Sequence, residues 1–384
     1  MFTLNTKLSI CKALLFKDSP FYIQFYISNK CHLKCRMCNI MEANRDTALI
    51  SIDRIGKIAD NLVDIGAGVI LLTGGEPFLR EDIGEIARIF IGKKLDIRLQ
   101  TAGLYAKKDL IAKCAEYGAR DINVSFASLD EKKADYINGA AGSWQDAVKT
   151  ISFISGVFPC RDSICAIGCV LSPYNIDEID ALLDFATRIG WWMSLVPAHI
   201  TTKDKPMNFR GHDEHFRFKA DDFPKIKNLI DRLKRKKKEG YLLFDSDEYL
   251  DSISSFITTG SPSWRQKEIC DSPNFYFAIM PDGRFAPCCD LRFDEEIYLY
   301  DDHFPKIYKS KEFRNRVKVI TEKCPGCNFG SFPEMTLSAR SFSAIRERAS
   351  VYFKAKTNGI KSYSAEELFD MISNIKDGYE VYKH

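Results

Sequence analysis

The chain has 384 residues, enough to bury a large core as one domain or two. Its 45% apolar and 28% charged composition is that of an ordinary globular protein, and a net charge of +3 excludes the strongly basic surface of a dedicated nucleic-acid binder. No apolar run is long enough to span a bilayer. Residues Ser9 to Phe16 are apolar but short and carry Lys12, so no signal peptide is read there. From residue 21 onward, short β-rich runs alternate with helical ones. A strand covers 22–28, a helix 51–65 with Ser51 placed to cap it, and a strand 69–73 that runs into Gly74-Gly75. Helices follow at 81–92, 107–117, 131–155 and 175–189, with strands at 96–101, 121–127, 164–171 and 191–196 between and after them. This alternation predicts an α/β fold with a parallel sheet. Its six strands are too few for a closed eightfold barrel, so a partial (β/α)6 barrel over 21–200 is expected, with chemistry at the carboxyl ends of the strands.

Residues 1–20 form an N-terminal extension and 201–265 a connector. The connector opens with a polar, irregular stretch at 201–219, with His199, His212 and His215 in or beside it. It continues as a helix over 222–238 that ends in Lys234-Arg-Lys-Lys-Lys238, a solvated basic end that suits the helix dipole. Residues 266–335 shift to Cys, Pro, Gly and aromatics and form a small Cys-rich module, and 336–384 return to helical patterning as a tail.

Thirteen cysteines are too clustered, in too long a chain, for a secreted disulfide framework. Their grouping suits metal or cluster ligation in a reducing compartment, hence the cytoplasm. The strongest group is Cys31-His-Leu-Lys-Cys35-Arg-Met-Cys38, directly after the first strand. Three thiolates so spaced can hold three irons of a 4Fe-4S cluster and leave the fourth open, or form part of a zinc site. The second strand ends in Thr73-Gly74-Gly75-Glu76-Pro77. The two glycines let backbone approach a ligand, the Glu76 carboxylate would accept from an ammonium group, and Pro77 turns the chain away. Taken alone, that segment also reads as a plain strand-to-helix turn.

In this order, each after its own strand, the two segments resemble the radical SAM superfamily over about residues 21–200. The resemblance implies that Cys31, Cys35 and Cys38 hold a 4Fe-4S cluster, and that Gly74, Gly75, Glu76 and Pro77 bind the methionyl amine of S-adenosylmethionine (SAM). Gln100-Thr101-Ala102-Gly103 is similar to the family's Thr-Asn-Gly strand end, which brings in Thr101 with Ala102 in the Asn place. Val124-Ser125-Phe-Ala127-Ser-Leu-Asp130 is similar to its Ser-x-Asp-Ser-Leu-Asp strand, which puts Ser125 near the SAM ribose and Ala127 where Asp is common. Met37 stands where an aromatic residue usually meets the adenine, and a methionine can pack against a ring. The implied activity is reductive cleavage of SAM to a 5′-deoxyadenosyl radical, with a flavodoxin or ferredoxin as electron donor.

A third constellation comprises Cys270, Gly283, Cys288-Cys289 and Cys324-Pro-Gly-Cys327, with a β-hairpin predicted around Pro281-Asp-Gly283. Its spacing fits a four-cysteine zinc knuckle nearly as well as a cluster. It also resembles the shorter, twitch form of the SPASM auxiliary-cluster module. That resemblance implies one auxiliary 4Fe-4S cluster on Cys270, Cys288, Cys324 and Cys327, with Cys289 as the other candidate.

Cys165 and Cys169 share one strand face and read as buried thiols, as do Cys11, Cys114 and Cys160. His199, alone at the end of the last strand, and Trp191-Trp192 read as structural; Arg80 and Arg98 are candidates for the barrel interior. The first functional reading is oxidation or rearrangement of a small-molecule or sugar-like substrate, since only residues 1–20 precede the first strand and a leader-gripping domain is not expected there. The second is maturation of a peptide or protein side chain. A non-catalytic metal-binding interaction protein is a third, disfavoured by a Gly-Gly-Glu-Pro strand end that a scaffold does not need. Neither a membrane nor a nucleic acid is expected as a partner.

Overall fold

The computed structural model describes residues 2–17, 19–201, 210–266, 270–357 and 359–381. The polar stretch expected at 201–219 therefore lies outside the described residues over 202–209. A helix α1 (Leu4–Phe16) precedes strand β1 (Tyr22–Ser28), the short α2 (Ile40–Ala43) and α3 (Ile52–Asp64). Then come β2 (Val69–Gly74), α4 (Ile83–Gly92), β3 (Asp96–Thr101), α5 (Lys108–Glu116) and β4 (Asp121–Ser125). Helices α6 (Glu131–Asn138) and α7 (Ser143–Val157) lead to β5 (Ile164–Leu171), α8 (Ile179–Arg188) and β6 (Trp192–Pro197). These strands pair in parallel and in sequence order, and helices cover the outer face. Burial on both faces makes β2, Val-Ile-Leu-Leu-Thr-Gly, a continuous buried run. Its covering helix α3 turns Ile55, Ile58, Ala59 and Leu62 inward at helical spacing.

Two expectations change in detail. Ser51 stands at the N-cap of α3, but its hydroxyl makes no capping bond. The single helix expected over 131–155 is two helices. Gly139 and Gly142 between them adopt φ 63° and 77°, a left-handed conformation that glycine takes without steric cost. The carboxylate of Asp135 then accepts from the N–H groups of Gly142 and Trp144 at 2.7 and 2.9 Å and starts α7.

The connector contains α9 (Phe223–Lys238) and also α10 (Asp247–Thr259), capped by the Ser246 hydroxyl. Strands β7 (Tyr276–Ile279) and β8 (Phe285–Ala286) form the hairpin around Pro281-Asp-Gly283. β7 lies parallel to β1, in the register Tyr22↔Tyr276 to Phe25↔Ile279, so one eight-stranded sheet runs β6-β5-β4-β3-β2-β1-β7-β8. After α11 (Phe304–Lys309) and α12 (Lys311–Glu322), helices α13 (Ser331–Arg340) and α14 (Phe342–Lys354) cross the open side of the partial barrel, and α15 (Ala365–Val381) packs on α7 and α8. At the β6 side, Glu334 accepts from the Ser246 N–H at 3.2 Å, and Arg348 donates to the Phe244 carbonyl at 2.8 Å. At the β1 side, the Tyr22 and Ser331 hydroxyls meet at 3.1 Å and Phe332 stacks on Tyr276.

Candidate functional site

The three-cysteine loop leaves the carboxyl end of β1 and is clamped on two sides. The Lys34 and Arg36 N–H groups donate to the Asn138 and Ile137 carbonyls at the end of α6, at 3.0 and 3.1 Å. On the other side, a side chain at Gly211 would overlap the backbone of Met37. Within the loop, the Cys38 N–H donates to the Cys35 carbonyl, the Leu33 N–H approaches Cys31 Sγ at 3.4 Å, and Cys35 Sγ–H points to Asn138 Oδ1 at 3.9 Å. Burial pushes the Cys31 thiol up to about 11, helped by the nearby charges of Glu76 and Cys38. Burial also raises Cys35 and Cys38. Thiols so placed release their protons to a cation, and iron supplies one. Among the described residues, no three His, Cys, Asp or Glu side chains converge closely enough for a single metal ion. A cubane presents its irons at separate corners, so thiols that bind it stand apart.

Beside this loop, the end of β2 runs against the start of the cysteine segment. The Gly75 N–H donates to the Ser28 carbonyl at 3.0 Å and the Glu76 N–H to the Lys30 carbonyl at 2.7 Å. A Cβ at Gly74 would collide with the Ser28 carbonyl, and one at Gly75 with the Lys30 carbonyl, so only glycine permits this approach. The Glu76 carboxylate is fully buried just behind the glycines. It accepts from the Phe78 N–H at 3.1 Å, from the Thr101 hydroxyl at 3.0 Å and from the Ala102 N–H at 2.8 Å. Burial pushes it up to about 7, against the pull of those donors. Among the described residues no cationic side chain pairs with it. An unpaired buried carboxylate is the electrostatic complement of an ammonium group, so this donor set fits SAM. Thr101 gives its hydroxyl to Glu76 and takes the Gly103 N–H, which makes it a support for the carboxylate. Pro77 is buried as the first residue of the short helical turn that follows.

These groups face a cavity of about 770 Å³ inside the sheet, lined by Cys31, Cys35, Cys38, Met37, Gly74, Gly75, Thr101 and Ser125. Its size is in the range of ligand sites. The lining continues down the strands through Asn123, Gln100, Arg98 and Ser194 to residues of α1 and α14. Asp245 and Glu334 also face it, pushed up to about 6 and about 7 chiefly by burial. Asp245 is held by the Ser194 hydroxyl and the Leu195 N–H, and Glu334 by Ser246. The sequence pointed to neither carboxylate, because each reaches the cavity from a segment outside the six barrel strands.

The C-terminal cysteines come together from separate segments. Cys288 lies close enough to Cys270, Cys324 and Cys327 for its charge to raise all three thiols, although burial is the larger cause. Cys288 Sγ accepts from the Asp290 and Leu291 N–H groups at 3.4 and 3.3 Å. The thiol of Cys289 also donates to it, which lowers Cys288 and raises Cys289. Cys289 itself lines the main cavity with Cys31, Cys35 and Cys38. The charge of Cys327 reaches Cys289 as well, so both neighbours lie near the C-terminal cysteines, and Cys289 borders the main cavity in addition. The Cys324–Cys327 turn is fixed by Trp264 Nε1, which donates to the Cys327 carbonyl, and Arg265 Nε, which donates to that of Cys324, both at 2.9 Å.

His199 is buried against Phe329, with ring centroids 3.8 Å apart. Its Nδ1 lies 2.7 Å from the Pro197 carbonyl, and its Nε2 accepts from the Asn328 N–H at 3.1 Å. Those partners fix the neutral tautomer, and burial pulls its pKa down to about 3. His199 therefore braces the residue after Cys327. Cys114, Cys165 and Cys169 are buried in the barrel core as expected, Cys169 also bordering the cavity, whereas Cys11 and Cys160 are exposed and not the buried thiols the sequence suggested. Arg80 ties the Ile27 and Ile50 carbonyls together, whereas Arg98 does line the cavity. Arg210 had no signal in the sequence. Its N–H donates to Asn39 Oδ1 beside the first cysteine loop, while its guanidinium grips Asp290 beside the second constellation at 3.0 and 2.6 Å.

Residues 25–186 match the Radical SAM superfamily. A probable GTP 3′,8-cyclase of Methanococcus maripaludis is 30% identical over 174 residues, 44% of this chain and 56% of that protein. The antilisterial bacteriocin subtilosin biosynthesis protein AlbA of Bacillus subtilis is 28% identical over 142 residues, 36% of this chain and 32% of that protein. The chain spans roughly half the length of the cyclase relatives it matches, or a little more. Among solved structures, Streptococcus suis SuiB bound to S-adenosylmethionine is similar with a TM-score of 0.60 at 15% identity, over 85% of this chain and 76% of that one. The structure of anSMEcpe with bound AdoMet is similar at 0.57 and 14%, over 92% of this chain and 99% of that one. At such identities the likeness is one of fold.

Proposed function

We infer, from the match of residues 25–186 to the Radical SAM superfamily, that the protein is an enzyme that cleaves SAM reductively and oxidises or rearranges a small substrate held in the barrel cavity. The observation that carries this reading is a buried carboxylate without a cationic partner, Glu76, set behind two glycines beside three clamped thiols. Cys31, Cys35 and Cys38 would hold three irons of a 4Fe-4S cluster, with Gly74, Gly75 and Glu76 receiving the methionyl amine of SAM and Ser125 and Met37 its nucleoside. When bound, the pair supplies one electron to the sulfonium and a 5′-deoxyadenosyl radical that takes hydrogen from carbon. The chain's own part is placement. Thr101 and the Ala102 N–H hold the Glu76 carboxylate in one position, and α6 fixes the cysteine loop against it. Helices α13 and α14 cover the open side of the barrel, which limits solvent access to a reactive centre from that side.

Cys270, Cys288, Cys324 and Cys327 would ligate an auxiliary 4Fe-4S cluster. Four thiolates leave no open iron, which suits electron transfer. A second reading, modification of a peptide side chain, is favoured by the match to AlbA. The test is anaerobic reconstitution, reduction with dithionite and assay of 5′-deoxyadenosine after SAM is added. Wild type should release it and Cys35→Ala should not. Equal release from both would overturn the reading.

A further inference from the structure

Helix α1 is built the wrong way round for a helix that serves only to pack. Its buried residues are Thr6, Ser9 and Ala13, and the first two hydroxyls donate to the Gly68 and Gly66 carbonyls at the ends of α3 and β2. Its outward face carries Leu4, Leu8 and Leu15, exposed by 72, 59 and 76%, with Phe16 at 68%. Leu4, Leu8 and Leu15, with exposed Cys11, fall at helical spacing and form one apolar stripe. Beside it lies α14, joined through the Phe2–Tyr352 ring contact at 4.7 Å, and there Phe353 is exposed by 68%. Isolated exposed apolar side chains are ordinary, but a row of this kind marks an interaction surface.

The charges on this face say what covers it. Helix α1 has Lys7 and Lys12, with Lys17 just after it, and no acidic residue. Helix α14 and the turn after it add Arg346, Lys354 and Lys356, while Glu347 turns inward to Lys237. None of these six cations makes a salt bridge among the described residues. A second copy of the chain across a two-fold axis would bring the same cations face to face. A leucine and phenylalanine row edged by lysines is instead the pattern of a helix lying in a lipid headgroup layer. We propose that the outer faces of α1 and α14 dock on an anionic lipid bilayer. No helix of the described residues is long and apolar enough to cross a membrane, so this is attachment to the surface. The barrel cavity reaches the exterior on the same face, where Lys7, Ile10, Leu14, Phe353 and Lys356 line it. A substrate carried in the bilayer then has a direct way to the reaction centre. The docking itself is independent of the SAM chemistry and stands or falls separately from it.

The test is co-sedimentation of the full chain with phosphatidylcholine vesicles, made with and without phosphatidylglycerol. Wild type should sediment with the phosphatidylglycerol vesicles, lose binding as salt is raised, and bind pure phosphatidylcholine about tenfold less. Leu8→Glu with Leu15→Glu should weaken binding at least about tenfold. Both positions are exposed, so the circular dichroism and melting temperature of that variant should match wild type. Lys12→Glu should weaken binding, whereas Lys238→Glu on the basic end of α9 should not. Failure of wild type to sediment, equal binding to both vesicle types, or wild-type binding by the double variant would each overturn the proposal. So would a wild-type dimer that the double variant dissolves without any lipid binding, which would assign the face to a second copy.

Discussion

Cys31, Cys35 and Cys38 come from one loop after one strand, whereas Cys270, Cys288, Cys324 and Cys327 come from three segments that the fold must gather. The first set is nearly complete once β1 and β2 lie side by side, because the loop is then held against the Gly74-Gly75 backbone and the end of α6. The second set depends on a hairpin that extends the barrel sheet past β1, and on Trp264, Arg265 and His199, which place the Cys324–Cys327 turn. A local set of ligands is written as a spacing, and an assembled set is written in packing. The two should therefore fail differently when single residues are changed.

The largest expected effect is on the local set. Cys35→Ala should lower reconstituted iron from about eight to about four per chain and abolish SAM cleavage, read by iron analysis and 5′-deoxyadenosine assay. Cys324→Ala should also remove about four irons, yet leave SAM binding at the first cluster intact. The adjacent pair sharpens the contrast. Cys288→Ala should lose the auxiliary iron and Cys289→Ala should keep it; the reverse would show that Cys289 is the ligand. Arg210→Ala breaks the tie between the halves and leaves Asp290 buried without its cation, which should cost about 3 kcal/mol in urea unfolding of the apo-protein.

Glu76→Gln gives a smaller effect, with a sign set by burial. Because the folded carboxyl sits at about 7 and its ordinary value is 4.5, the folded state holds the proton more tightly than the unfolded chain. Its stability contribution is present below about pH 4.5 and is lost as pH rises through about 7. Glu76→Gln should therefore be more stable than wild type at pH 8 by up to about 3 kcal/mol, with the difference vanishing near pH 4. A difference that grew on acidification would contradict the burial argument. Smallest of all, Lys238→Ala at the solvated helix end should stay within about 0.5 kcal/mol of wild type.

Much of the barrel was legible because strand and helix periods are local properties. The runs at 22–28, 69–73, 96–101 and 164–171 became strands within a residue of their expected ends. The break between α6 and α7 was not, since Gly139 and Gly142 interrupt a pattern whose apolar spacing continues across them. Of the basic run at 234–238, Arg235 and Lys238 are exposed as expected, whereas Lys234, Lys236 and Lys237 are half-buried and pair with Asp251, Asp184 and Asp247. Thr101 lines the cavity as a strand end suggests, but its bond to the Glu76 carboxylate could not be read from a strand-end threonine. Arg210, Asp245 and Glu334 were invisible because, unlike the second cysteine set, they carry no recognisable spacing. Each reaches its partner across more than forty residues of sequence, as Arg210 does Asp290 across 80. The exposed row on α1 was readable as a short apolar run, but only the fold shows that its leucines face outward while its hydroxyls face in.

Electron paramagnetic resonance of the reduced protein, recorded with and without SAM, tests the division of labour most directly. SAM should shift a signal in wild type and in Cys324→Ala, and shift nothing in Cys35→Ala. A SAM-dependent shift in Cys35→Ala, or its loss in Cys324→Ala with the first cluster loaded, would contradict the assignment of SAM to the three-cysteine loop.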